Sequence, residues 1–161
     1  FFWGLTNNFF FFFFDLNIFW NVVYGNDVFN VNKIELFGLL NNTNQIKEGV
    51  NRWTPDNRDT DVPKAQSRNT TLQGTRHIED GTFFRLRNIS LGYNLPVTKM
   101  NLTWLRSARV YISGQNLITI TDYSGYDPEV NALGQDNLNF GIDYGTYPKM
   151  KSYTIGINVG F

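Results

Sequence analysis

Lys151-Ser152-Tyr153-Thr154-Ile155-Gly156-Ile157-Asn158-Val159-Gly160-Phe161 alternates without a fault, and its reading decides the fold. Tyr153, Ile155, Ile157, Val159 and Phe161 share one parity; Ser152, Thr154, Gly156, Asn158 and Gly160 share the other. Successive side chains of a strand point to opposite faces, so this one has an oily face and a small polar face. Its length suits the roughly 9–11 residues that a tilted strand needs to cross a bilayer. A soluble edge strand this oily would invite association unless it were covered. In a closed membrane barrel the pattern is a requirement, with lipid on one side and a wet lumen on the other.

The same pattern recurs upstream. Residues 108–121 place Ala108, Val110, Ile112, Ile118 and Ile120 outward, with Leu117 an exception and Gly114 and Asn116 marking a bend or bulge. Residues 82–95 carry a phase error: Phe84 and Leu86 are apolar on the even parity, Ile89, Leu91 and Tyr93 on the odd one. One extra residue near Arg87-Asn88 would reconcile the halves as a β-bulge. Residues 15–24 alternate Leu16, Ile18, Trp20, Val22 and Tyr24 with a mixed second face. Residues 1–10 set Trp3, Leu5 and Phe9 against Gly4, Thr6 and Asn8. Between these two strands, six consecutive phenylalanines (residues 9–14) leave no Gly, Asn, Asp or Pro for a tight turn. Either this is an unusually greasy rim, or the letters stand in for other side chains. The breach of every local turn rule favours the second reading.

Residues 25–80 and 122–149 are polar, weakly periodic and long, with a short helix or strand possible at 33–40. Long loops are uncommon in compact soluble domains but ordinary outside a barrel. Short and long connections therefore alternate along the chain. Outer-membrane barrels have short periplasmic turns and long extracellular loops, which would run the last strand downward to the periplasm. That topology also puts Trp20, Tyr24, Phe84 and Tyr153 at the outer interface and Tyr93 and Phe161 at the inner one, where aromatic girdles belong.

Composition agrees. Charged residues make up 17% of the chain, below the ~25% usual in soluble domains, and aromatics also reach 17%. The formal net charge of +0 gives no reason to expect nucleic-acid binding. Mean hydropathy is -0.30, too polar for a helical membrane protein, and no apolar run of ~18 residues exists. Cysteine is absent, which excludes disulfides and thiolate metal sites. The start is not a convincing signal peptide and is not Met, so a processed product or a fragment is expected. Five strands cannot close a barrel, and the polar segments lack the alternation needed to hide more. The chain reads as the tail of a larger barrel.

Several motifs point to one family. Phe84-Arg85-Leu86-Arg87-Asn88-Ile89-Ser90-Leu91-Gly92-Tyr93-Asn94-Leu95-Pro96 resembles a segment near the end of SusC/RagA-type TonB-dependent transporters of the Bacteroidetes. So do Ala108-Arg109-Val110-Tyr111-Ile112-Ser113-Gly114-Gln115-Asn116-Leu117, Gly125-Tyr126-Asp127-Pro128-Glu129-Val130 and Gly141-Ile142-Asp143-Tyr144-Gly145-Thr146-Tyr147-Pro148. Asn51-Arg52-Trp53-Thr54-Pro55-Asp56-Asn57, with Asp61-Val62-Pro63, is similar too. The resemblance implies an all-β fold: an antiparallel transmembrane β-barrel of which this is the last five of about 22 strands, without the plug. It implies a transporter rather than an enzyme, importing oligosaccharides or peptides with a SusD-like surface lipoprotein and with force from TonB. A SusC-like barrel serving as a structural subunit is the alternative; a small complete barrel or a soluble sandwich adhesin is a third.

Among candidate sites, Trp53, Tyr123, Tyr126, Tyr144 and Tyr147 lie in the long segments, where their rings could contact substrate or a lipoprotein lid, or pack loop on loop. Phe161, with Val159 and Tyr153, resembles the carboxy-terminal signal read by the barrel-assembly machinery; an aromatic anchor in outer-membrane lipid is compatible with that role. Asp56, Asp59 and Asp61 could offer oxygens to Ca²⁺, but they lack the Gly and closing Glu of an EF-hand loop. His77 is the sole histidine, and with Glu79 and Asp80 it reads as loop polarity. No metal and no cofactor is expected. Asn88 and Asn101 begin glycosylation sequons that carry no weight in a bacterial barrel.

Overall fold

A computed structural model describes residues 1–37, 44–65, 74–97, 99–100, 104–132 and 140–161. Its elements in chain order are β1 (Phe2–Phe11), β2 (Phe14–Val23), β3 (Asp27–Asn30), α1 (Val31–Phe37), β4 (Ile78–Asp80), β5 (Phe83–Asn94), β6 (Ser107–Thr121), β7 (Ile142–Asp143) and β8 (Ser152–Gly160). They fall into two compact units, one of residues 1–25, 82–122 and 148–161, the other of residues 26–81 and 123–147.

The first unit is a five-stranded antiparallel sheet in the order β1-β2-β5-β6-β8. Its register aligns the apolar positions of all five strands. Leu5 pairs with Trp20, Trp20 with Leu86, and Leu86 with Ile118; lower down, Leu16 pairs with Leu91, Leu91 with Ile112, and Ile112 with Ile155. The result is one continuous oily face. Ile155 and Ile157 are 76% and 67% exposed on it, far more apolar surface than a soluble protein leaves bare. Trp20 stacks on Phe84 with ring centroids 4.5 Å apart.

The opposite face is held by polar pairs. Asn17 Nδ2 donates to Asn8 Oδ1 at 2.5 Å, and Asn88 Nδ2 donates to Asn17 Oδ1 at 3.3 Å, forming an amide ladder over three strands. Arg109 on β6 reaches across β5 to Asp15 on β2 with a two-nitrogen grip, Nε to Oδ1 at 3.0 Å and Nη2 to Oδ2. Gly92 lies beneath that guanidinium; a Cβ there would come within 2.4 Å of its nitrogens. Gly156 likewise leaves room for the Tyr111 ring, 2.4 Å from where its Cβ would be. The small residues of this face are the floor on which neighbouring long side chains lie.

Two irregularities sit at one height. Between Phe19/Trp20 of β2 and Asn88/Leu86 of β5, Arg87 is an extra residue. Between Leu86/Asn88 of β5 and Ile118/Gln115 of β6, two residues of β6 go unpaired, Asn116 among them with a left-handed φ of 53°.

The β1–β2 turn is made by Phe12 and Phe13, flanked by the Phe11–Phe14 pair. Phe12 has φ 52°, a region costly for a residue with a Cβ. Replacing Phe12 by glycine should therefore stabilise the folded hairpin by about 1 kcal/mol. The denaturant midpoint of the folded protein in lipid vesicles would rise. A fall would mean that the edge contact between the Phe11 and Phe12 rings, at 4.7 Å, outweighs the backbone relief.

The second unit occupies segments read from sequence as long loops, and it has structure of its own. A small sheet is ordered β4-β3-β7, antiparallel on one side of β3 and parallel on the other. Val28 is fully buried with Tyr123 and Val130 around it. Asn30 starts α1, its Oδ1 accepting from the Lys33 backbone N–H at 3.4 Å as an N-cap does. Residues 51–62 form a self-bonded loop: Asn57 Nδ2 donates to the carbonyls of Asn51 and Arg52, and Trp53 N–H donates to the Val62 carbonyl.

Candidate functional site

The second unit is organised on Glu79. Lys33 Nζ lies 2.8 Å from its carboxylate, Asn30 Nδ2 donates at 2.8 Å, and Ser124 donates through both its hydroxyl (2.9 Å) and its backbone N–H (3.0 Å). Burial pushes this carboxyl upward, but the Lys33, Ser124 and Asn30 donors outweigh it and hold the group at about 2. One side chain thus joins β3, α1, β4 and the segment after β6. The sequence marked Glu79 only as loop polarity. Nothing in its immediate neighbours announces partners that lie 45 and 49 residues away.

The loop aromatics separate by burial. Tyr123 is 5% exposed, and its hydroxyl donates to Asp143 Oδ2 at 2.5 Å. Burial and the facing carboxylate push its phenol well above the ordinary range. Of the two readings open for Tyr123, contact with substrate or a lid and loop-on-loop packing, this burial with Val28 and Val130 supports the second. Tyr126, Tyr144 and Tyr147 are exposed, and Trp53 is half-buried. Tyr144 donates to Glu35 Oε1 at 3.0 Å, which raises its phenol pKa. Tyr126 borders a cleft of about 540 Å³ whose lining includes Asn30, Asn32, Lys33, Leu36 and Glu48.

Asp56, Asp59 and Asp61 are exposed. Among the described residues, no group of three or more His, Cys, Asp or Glu side chains is placed to hold a metal. His77 is buried, edge-on to Phe29 with ring centroids 6.4 Å apart. Asn101 lies outside the described residues.

On the first unit, Tyr153 and Val159 lie on the oily face of β8 in register with Gly114 and Ala108. Phe161 follows the last paired residue and stacks on Trp104, which the sequence did not single out.

No family model matches the chain. TonB-dependent receptor P3 of Formosa agariphila is 41% identical over 153 residues, covering 92% of this chain and 15% of the receptor. TonB-dependent receptor SusC of Bacteroides thetaiotaomicron is 33% identical over 85 residues, or 52% of the chain. The solved RagAB peptide transporter superposes with a TM-score of 0.76 at 31% identity, covering 92% of this chain and 16% of that one. This chain is barrel wall of a SusC/RagA-type TonB-dependent receptor. It spans about 15% of the length of the curated relatives it matches. As receptor sequence, its five strands belong to the outer membrane, with the oily face toward lipid and the polar face toward the lumen. The relatives it matches are named as TonB-dependent receptors and, for the solved structure, a peptide transporter.

Proposed function

We propose that the receptor containing this chain imports large nutrients, oligosaccharides or peptides, across the outer membrane, drawing force from TonB and working with a SusD-like surface lipoprotein. The observation that supports it most is the joint match of sequence and backbone to receptors of that kind over 92% of the chain. In this reading the long connections face the exterior and the short turns the periplasm, so β8 descends and Phe161 ends at the periplasmic rim. Phe161, Val159 and Tyr153 then serve the barrel-assembly machinery as its recognition strand. The plug and the remaining strands belong to the other parts of the receptor.

The test is uptake by cells carrying or lacking the full-length receptor, offered labelled neutral oligosaccharides and peptides, with and without TonB. Receptor- and TonB-dependent uptake is the expected result. No change in uptake, with loss of an outer-membrane complex instead, would favour the structural-subunit alternative.

Tyr126, Tyr144, Tyr147 and Trp53 are proposed to meet substrate or lid. Truncating Tyr126 to alanine should weaken binding of the imported ligand about 5- to 100-fold, the range for loss of a stacking or hot-spot ring. Titration calorimetry on the purified complex would read it. An unchanged affinity would remove Tyr126 from the site.

A further inference from the structure

The connection after β5 and the end of β8 meet at one corner of the sheet. Trp104 stacks on Phe161, ring centroids 5.9 Å apart and planes 25° from parallel. Beside the stack, Arg106 N–H donates to the Gly160 carbonyl at 2.8 Å, extending the ladder past the last pair, Ser107 and Gly160. The Ser107 hydroxyl oxygen would be 2.7 Å from a Cβ at position 160, so glycine there lets the two chains close up. The two rings are 63% and 78% exposed, so no surrounding core forces them together.

A residue just beyond a strand's last rung is prone to fray, and its side chain is free to rotate. Here a second ring fixes one orientation. We propose that Trp104 is a positioning residue for Phe161: the stack and the Arg106 rung hold the end of β8 in the register in which the assembly machinery recognises it. This rests on the reading of Phe161 as an assembly signal.

Trp104→Ala, Trp104→Phe, Phe161→Ala and the Trp104→Ala/Phe161→Ala double variant of the full-length receptor test it. In cells, a pulse-chase experiment follows the rate at which heat-modifiable, folded barrel appears in the outer membrane. Trp104→Ala should slow that rate about two- to tenfold, the range for one lost aromatic pair, and Trp104→Phe should restore it within about twofold. Adding Trp104→Ala to Phe161→Ala should slow it no further, because the ring to be positioned is already gone. The denaturant midpoint of the purified, folded receptor should fall only slightly in Trp104→Ala, because both rings are exposed and the loss is confined to this one pair. Additive losses in the double variant, or a lowered midpoint with an unchanged rate, would overturn the positioning role while leaving the assembly signal intact. Normal assembly of Phe161→Ala would remove the signal itself and the proposal with it.

Discussion

Arginine in place of Ile155 should largely abolish the folded receptor in the outer membrane. Ile155 is mid-strand on β8, its side chain on the oily face and 76% exposed to what becomes lipid. An arginine near the bilayer midplane costs ~2–4 kcal/mol on a barrel's lipid face. Lysine at Thr154, one residue away, points to the polar face, where water can solvate it. It should leave the folded amount within about twofold, since surface-type substitutions cost little. The comparison of the two variants by heat-modifiable outer-membrane protein decides which face is which. Equal losses, or a worse loss for the threonine variant, would reverse the assignment.

Replacing Glu79 by glutamine should loosen the second unit by about 2–3 kcal/mol, because Lys33 then loses its ion pair with that carboxylate. The pair is only partly exposed, at 28% and 13% for the two side chains, so solvent screens it less than an ordinary surface bridge. The pH dependence has a definite sign. Glu79 is held at about 2 in the folded state against an ordinary value of 4.5. Its contribution is therefore complete above the ordinary value and is lost as pH falls through the folded one. The protection factor of the Ser124 amide, which donates to Glu79 Oε2, should drop between pH 4.5 and 2 in the wild type and show no such step in the Gln variant. A protected Ser124 amide in that variant would mean that the carboxylate is not the hub.

How far the sequence could be read depended on whether a signal is local. The five wall strands were legible because lipid and water sort side chains residue by residue, and alternation records the sorting. The slip at Arg87 was visible for the same reason: one extra residue changes the parity of Phe84 and Leu86 against Ile89 and Leu91. The larger irregularity opposite it in β6 uses two residues, so parity is unchanged across it and only Gly114, Asn116 and Leu117 hinted at it. The small β4-β3-β7 sheet was not legible. Its strands are two to four residues long, too short for a period, and they pair across about fifty positions of chain on one side of β3 and more than a hundred on the other. Tyr123 stayed undecided between contact and packing for a related reason: its packing partners Val28 and Val130 come from other segments of the chain.

The paired irregularities have a consequence for how the wall gets its shape. Relative to β2, β5 carries one surplus residue at that height, and β6 a further one relative to β5. Each surplus residue bends and twists its strand locally. Counted across three neighbours, the surplus grows step by step toward one side, and regular pairing resumes beyond it, from Trp20, Leu86 and Ile118 to Val23, Phe83 and Thr121. Removing Arg87 would leave Phe84, Leu86, Ile89 and Leu91 on the face they now occupy but on one parity, so the phase error in the sequence is the record of the extra residue. The local bend is thus written in the number of residues, and the parity of the apolar positions has to follow that number to keep one face oily.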